Sequence, residues 1–167
     1  DIDNQIMVLN GTREGLFNAV VALCQTDSKI LIPNPFYQVY TVAAMAIGAQ
    51  PVYLPASIES SFLPNLDVLT PAELNKTSAF FLCSPSNPQG AVASVDYWTR
   101  LIELAETYNF KIFADESIHN IGNSQQLSIE APEKCQMTQQ PTQNLGRNLE
   151  IISQHRTKRL IQSPHTT

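Results

Sequence analysis

The sequence predicts an α/β fold, a doubly wound and mostly parallel sheet with helices on both faces. Three observations carry this. Four short apolar runs, at Lys29–Pro33, Gln50–Leu54, Ser78–Cys83 and Lys111–Ala114, have the length and residue preference of buried strands. The stretches between them place apolar residues at helical spacing, so strand and helix alternate. Two of the runs stop abruptly, one in Ser84-Pro85-Ser86-Asn87-Pro88-Gln89-Gly90 and one in Asp115-Glu116. The carboxyl edge of such a sheet is where ligands bind, which makes Asn87 and Asp115 the first candidates for function.

Each element has a local reason. Ile6-Met7-Val8-Leu9 reads as a short strand that turns through Asn10-Gly11-Thr12 into a helix with Leu16, Ala19, Val20 and Leu23 on one face. After Lys29–Pro33, the Pro33-Asn34-Pro35 break leads to a helix predicted from near Phe36, with Val39, Val42, Ala43, Ala46 and Ile47 at helical spacing and Gly48 as its stop. Pro51 marks the next strand as an edge. Residues 55–71 form a long polar connection tethered by Phe62-Leu63-Pro64 and Leu66. At its end Thr70-Pro71-Ala72-Glu73 reads as an N-cap, a first-turn proline and a first-turn acid. Ser94 caps a helix whose Val95, Trp98, Leu101, Ile102, Ala105 and Tyr108 form one stripe, with Trp98 expected in the core and Asn109 as the end.

Two of these features suit chemistry. Backbone N–H groups at a helix start lack intrahelical partners and carry partial positive charge, so the Gly11-Thr12-Arg13 turn can cradle a phosphate, although the same pattern serves as an ordinary capped turn. Pro88 biases Asn87 away from helical backbone and Pro85 fixes the torsion shortly before it, so the Asn87 carboxamide is aimed. Alone, that loop is equally a turn in which Asn bonds its own backbone.

Taken in order, Asn10-Gly11-Thr12-Arg13-Glu14-Gly15-Leu16-Phe17, Pro33-Asn34-Pro35-Phe36-Tyr37-Gln38-Val39-Tyr40, the Asn87 loop and the Asp115-Glu116 strand end resemble the fold-type I pyridoxal-phosphate aminotransferases of class I/II. The likeness covers Ile6 to Glu116 and in motif is nearest to the succinyldiaminopimelate aminotransferase type. It implies the middle part of that family's large domain, transfer of an amino group between an amino acid and a 2-oxo acid in amino-acid biosynthesis, pyridoxal 5'-phosphate as cofactor, and a homodimer for the full-length family. It also implies roles. Gly11, Thr12 and Arg13 would hold the cofactor's phosphate, and Tyr37 would stack on its ring, with Phe36 or Tyr40 as alternatives if the register differs. Asn87 would donate to the phenolic oxygen, and Asp115 would keep the ring nitrogen protonated.

Composition sets the limits. With 167 residues, 43% of them hydrophobic, the chain can bury one ordinary core. A net charge of -5 gives no electrostatic footprint for nucleic acid or an anionic membrane. No run is long enough for a spanning helix, and Asp1-Ile2-Asp3-Asn4 lacks the basic start of a signal peptide, so a cytoplasmic protein is expected. Cys24, Cys83 and Cys135 show neither metal nor disulfide spacing and are expected as ordinary thiols, with Cys83 buried. No metal site is expected.

Residues 1–116 are therefore expected to form a partial cofactor-binding large domain and residues 117–167 an atypical, weakly ordered or aberrant tail. Every aromatic residue lies at or before Phe113 and every histidine after Asp115, and beyond Ser117 the scattered apolar residues supply no periodic stripe. Two departures from the family accompany this change. Ile118 stands where the family has a tyrosine donor to the phenolic oxygen, and no lysine stands in a motif matching the Schiff-base lysine. Lys134 and Lys158 are not assigned to it. The catalytic residue is thus unknown, and the alternative is a non-catalytic remnant or interaction module that kept the α/β core. A dinucleotide-binding enzyme is disfavoured because no Gly-x-Gly-x-x-Gly follows any strand.

Overall fold

The computed structural model describes residues 7–116 and 149–152. Its helices are α1 (Thr12–Leu23), α2 (Gln38–Ala46), α3 (Pro71–Leu74) and α4 (Val95–Tyr108), and its strands are β1 (Lys29–Asn34), β2 (Gln50–Pro55), β3 (Thr77–Cys83), β4 (Lys111–Asp115) and β5 (Leu149–Ile152). The strands form one sheet in the order β2-β1-β3-β4-β5, and every pairing is parallel.

Alternate strand residues feed two separate cores. Ile30, Ile32, Ala79, Phe81 and Phe113 pack with Leu16 and Val20 of α1 and Val39, Tyr40 and Ala43 of α2. Leu31, Phe80, Leu82 and Ile112 pack on the other face with Trp98, Leu101 and Ala105 of α4 and with Leu66 and Leu74 from the connection before β3. Both faces of β1, β3 and β4 are covered, as continuous apolar strands require, whereas the edge strand β2 leaves Gln50 and Tyr53 exposed. The caps read from the sequence are in place: Thr70 and Glu73 form a capping box around Pro71, and Ser94 Oγ accepts from the Tyr97 N–H. Asn109 ends α4 in the left-handed conformation, which Asn tolerates better than most residues.

Four details differ from the sequence expectation. Residues 7–9 form no strand and stand outside the sheet, with Met7 and Val8 exposed. Helix α2 begins at Gln38, with Tyr37 as an extended N-cap, and it buries Val39, Tyr40, Ala43 and Ala44 while exposing Val42. Leu23 and Val95, both assigned to apolar stripes, are also exposed, each as a terminal residue of its helix. Finally, Leu149–Ile152 runs beside β4, with Ile112 opposite Leu149 and Asp115 opposite Ile152. Glu150 interrupts that apolar run, so it carries no strand signal in the sequence. Apart from β5, the expected weak order of residues 117–167 lies outside the described residues, as do Cys135, Lys134, Lys158 and Ile118. Among the described residues no helix is long and apolar enough to cross a membrane, and no cluster suits a metal ion.

Candidate functional site

The chain leaves β1 for β2 on one side of the sheet and returns to add β3 on the other side. The loops after β1 and β3 therefore diverge, and a crevice opens at the carboxyl ends of those strands, where open α/β sheets hold ligands. A cavity of about 300 Å³ lies there. It is lined by Thr12 from the start of α1, Pro35, Phe36 and Tyr37 after β1, Tyr40 of α2, Cys83, Ser86 and Asn87 at the end of β3, and Asp115 at the end of β4.

Asp115 is the buried charge of this site, with 4% of its surface exposed. It sits opposite Cys83 in the ladder between β3 and β4, and its backbone carbonyl accepts the Ser84 N–H at 3.1 Å. Tyr40 donates its hydroxyl to Asp115 Oδ2 at 2.6 Å. The Tyr40 ring lies flat on Phe81, with centroids 4.2 Å apart, and Phe81 in turn leans on Phe113. A column of rings thus fixes the donor that fixes the carboxylate. Burial first, and then the charge of Asp115, raises the Tyr40 hydroxyl far above the ordinary phenol range, so it stays a neutral donor.

The carboxylate also governs its other neighbour. Burial and the nearby Asp115 charge push the Cys83 thiol up to about 11, and its Sγ donates to the Pro85 carbonyl. This half-buried thiol is protonated at neutral pH and is not a nucleophile there.

The loop that carries Asn87 is cinched by its own serines. The Ser86 N–H donates to the Ala91 carbonyl, the Ala91 N–H donates back to Ser86 Oγ, and the Ala93 N–H donates to Ser84 Oγ. Gly90 takes a left-handed φ of 72° to close the turn, and its N–H donates to the Ser86 carbonyl. Asn87 is held at the exposed mouth of the cavity and Asp115 in its floor.

Tyr37 stands at the rim with its ring edge-on to Tyr40. Arg13 Nε donates to the Tyr37 hydroxyl at 2.8 Å, and its guanidinium carbon lies 5.3 Å from the ring centroid. The structure thus brings Thr12, Tyr37, Asn87 and Asp115 to one cavity. Gly11 and Arg13 instead line a second hollow, with Glu14, Phe17 and Val42. Arg13 reaches the first cavity only through Tyr37. Sequence reasoning missed the role of Tyr40, which it held only as an alternative stacking ring. Its spacing three residues after Tyr37, one helical turn on, was the available signal.

The chain is also similar to known proteins. A family model described as aminotransferase class I and II matches residues 1–146, a match that continues past Glu116. The LL-diaminopimelate aminotransferase of Halothermothrix orenii is 31% identical over 122 residues, 73% of this chain and 31% of that protein. An aminotransferase structure from Neisseria meningitidis is 34% identical with a TM-score of 0.66, over 70% of this chain and 30% of that one. A probable N-succinyldiaminopimelate aminotransferase from Thermus thermophilus is 25% identical with a TM-score of 0.60, over 64% of this chain and 28% of that one. The chain spans about a third of the length of such curated relatives.

Proposed function

Because the chain belongs to the class I and II aminotransferases, we propose that it supplies the cofactor-binding part of a pyridoxal-phosphate-dependent enzyme that moves an amino group between an amino acid and a 2-oxo acid. The observation that carries this reading is the Asp115 carboxylate, buried at the end of β4, fixed by Tyr40 and sharing a cavity with Asn87, Tyr37 and Thr12.

The donor set fits that cofactor. A buried carboxylate suits a protonated pyridine nitrogen, since a cation beside it offsets the cost of burying its charge. The start of α1, whose N-cap Gly11 offers no side chain to its N–H groups, suits a phosphate. Once bound, pyridoxal phosphate supplies an electron sink for the bonds broken at the amino acid's Cα.

The chain's own residues bind and orient. Asp115 would accept from the ring nitrogen and hold its proton in place. Tyr37 would lie against the ring face, a contact that contributes on the order of 1 kcal/mol beyond area. The Asn87 carboxamide would donate to the phenolic oxygen, and Thr12 with the Gly11 and Arg13 backbone would take the phosphate. A homodimer is proposed for the whole enzyme. Proton transfer at the substrate needs a lysine that this sequence does not present in the family's motif, so the 167-residue chain is expected to bind cofactor reversibly without turnover.

The test is equilibrium dialysis of pyridoxal phosphate against the chain and its Asp115→Asn variant. A loss of affinity of more than tenfold in the variant is expected, and equal affinity overturns the proposal.

A further inference from the structure

The cavity has a second wall that the cofactor reading leaves unused. It comes from the connection between β2 and α3, where Ala56, Phe62, Leu63 and Pro64 join Phe36 in lining the opening. This connection contains two single-turn 3-10 helices, Ile58–Ser60 and Leu66–Val68, and its placement is built. The Phe62 N–H donates to the Ser57 carbonyl at 2.7 Å and the Leu63 N–H to the Ser60 carbonyl at 3.1 Å. Tyr97 of α4 reaches across to donate its hydroxyl to the Pro64 carbonyl at 2.9 Å. Leu66, two residues on, is anchored in the core beneath.

The backbone here is strained. Ser61 and Phe62 are consecutive non-glycine residues in the left-handed region, with φ of 53° and 58°. Such conformations cost free energy, persist only where the surroundings hold them, and concentrate at ligand sites. Here the strain presents an aromatic side chain to the cavity and Tyr97 holds the segment in place.

We infer that Phe62 and Leu63 form the wall against which the substrate's side chain rests, and that this site selects amino acids and 2-oxo acids with an apolar side chain. The inference rests on the cofactor reading above. Its basis is chemical: this wall is made of aliphatic, aromatic and proline carbon, so it rewards apolar area and strips water from a carboxylate without returning a hydrogen bond. Tyr97 is a positioning residue that acts through Pro64.

The probes are the stable adducts N-(5'-phosphopyridoxyl)-L-leucine and N-(5'-phosphopyridoxyl)-L-aspartate, which share the cofactor part and differ in a side chain of similar size. Their affinities for the full chain are compared by calorimetry, with pyridoxal phosphate alone as reference. The leucine adduct is expected to bind at least tenfold tighter than the aspartate adduct. Phe62→Ser should shrink that ratio at least threefold, and Tyr97→Phe, which keeps the ring and removes the tether, should shrink it in the same direction. Equal affinities, or tighter binding of the aspartate adduct, with pyridoxal phosphate still bound, overturn this inference and leave the cofactor reading standing. Binding of none of the three overturns both. An unchanged ratio in both variants removes the wall from the account.

Discussion

Tyr40 Oη lies 2.6 Å from Asp115 Oδ2, joining α2 to the end of β4 across 75 positions of sequence. The pair defines the floor of the cavity, because the carboxylate has 4% of its surface exposed and the phenol 1%. Tyr40→Phe keeps the ring on Phe81 and deletes the donor. A hydrogen bond to a charged group contributes about 1.5–3 kcal/mol, and the variant leaves a buried carboxylate short of one partner. A destabilisation of that size is expected in urea unfolding, together with weaker binding of pyridoxal phosphate. Unchanged values of both would show that the pair is incidental.

Phe81 supports Tyr40 from below and is fully buried between it and Phe113. Phe81→Ala should cost about 3–5 kcal/mol through lost burial and the cavity left behind. Phe81→Leu should cost less in stability while still loosening the Tyr40 ring, so cofactor affinity should fall more than stability does. The check is to measure urea midpoint and cofactor affinity on both variants.

Cys83 shares the floor of the site, and its thiol is pushed up to about 11 by burial and by Asp115. The thiolate is the reactive form, so at pH 8 alkylation by iodoacetamide should run about two orders of magnitude slower than for an ordinary cysteine. The direction of change is set by charge: Asp115→Asn removes a repelling anion, lowers the thiol's pKa and should speed alkylation. Peptide mapping of labelled Cys83 over a pH series measures it. A fast reaction at pH 7 that is indifferent to Asp115 would contradict the assigned environment.

Arg13 holds the hydroxyl of Tyr37 at 2.8 Å rather than facing the main cavity itself. Arg13→Ala should therefore weaken cofactor binding through the Tyr37 ring. The effect should be severalfold and should largely vanish in a Tyr37→Phe background, since both changes delete the same hydrogen bond. Additive losses in the double variant would instead mean that Arg13 meets the phosphate directly.

Much of the architecture was legible in the sequence because it is encoded locally. Strand runs such as Ser78–Cys83 are apolar on both faces, Ser94 and Asn109 bracket α4, and Thr70-Pro71-Ala72-Glu73 announces its own helix start. Asn87 and Asp115 could be placed at one edge because parallel strands with a helix between them must point the same way. These are short-range or topological facts, and a linear chain carries them in its order of residues.

What only the tertiary structure decided depends on contacts between distant segments. That Tyr40 turns inward while Val42 faces solvent follows from the rings of Phe81 and Phe113 beneath α2 and from the carboxylate of Asp115, none of which lies within the helix. That Arg13 serves Tyr37, that the connection around Phe62 walls the cavity, and that Leu149–Ile152 joins the sheet beside β4 are likewise settled by packing. The spacing of residues along the chain names the candidates for a site. The free energy that orients them, from burial, hydrogen bonding and buried charge, exists only once the sheet has brought them together.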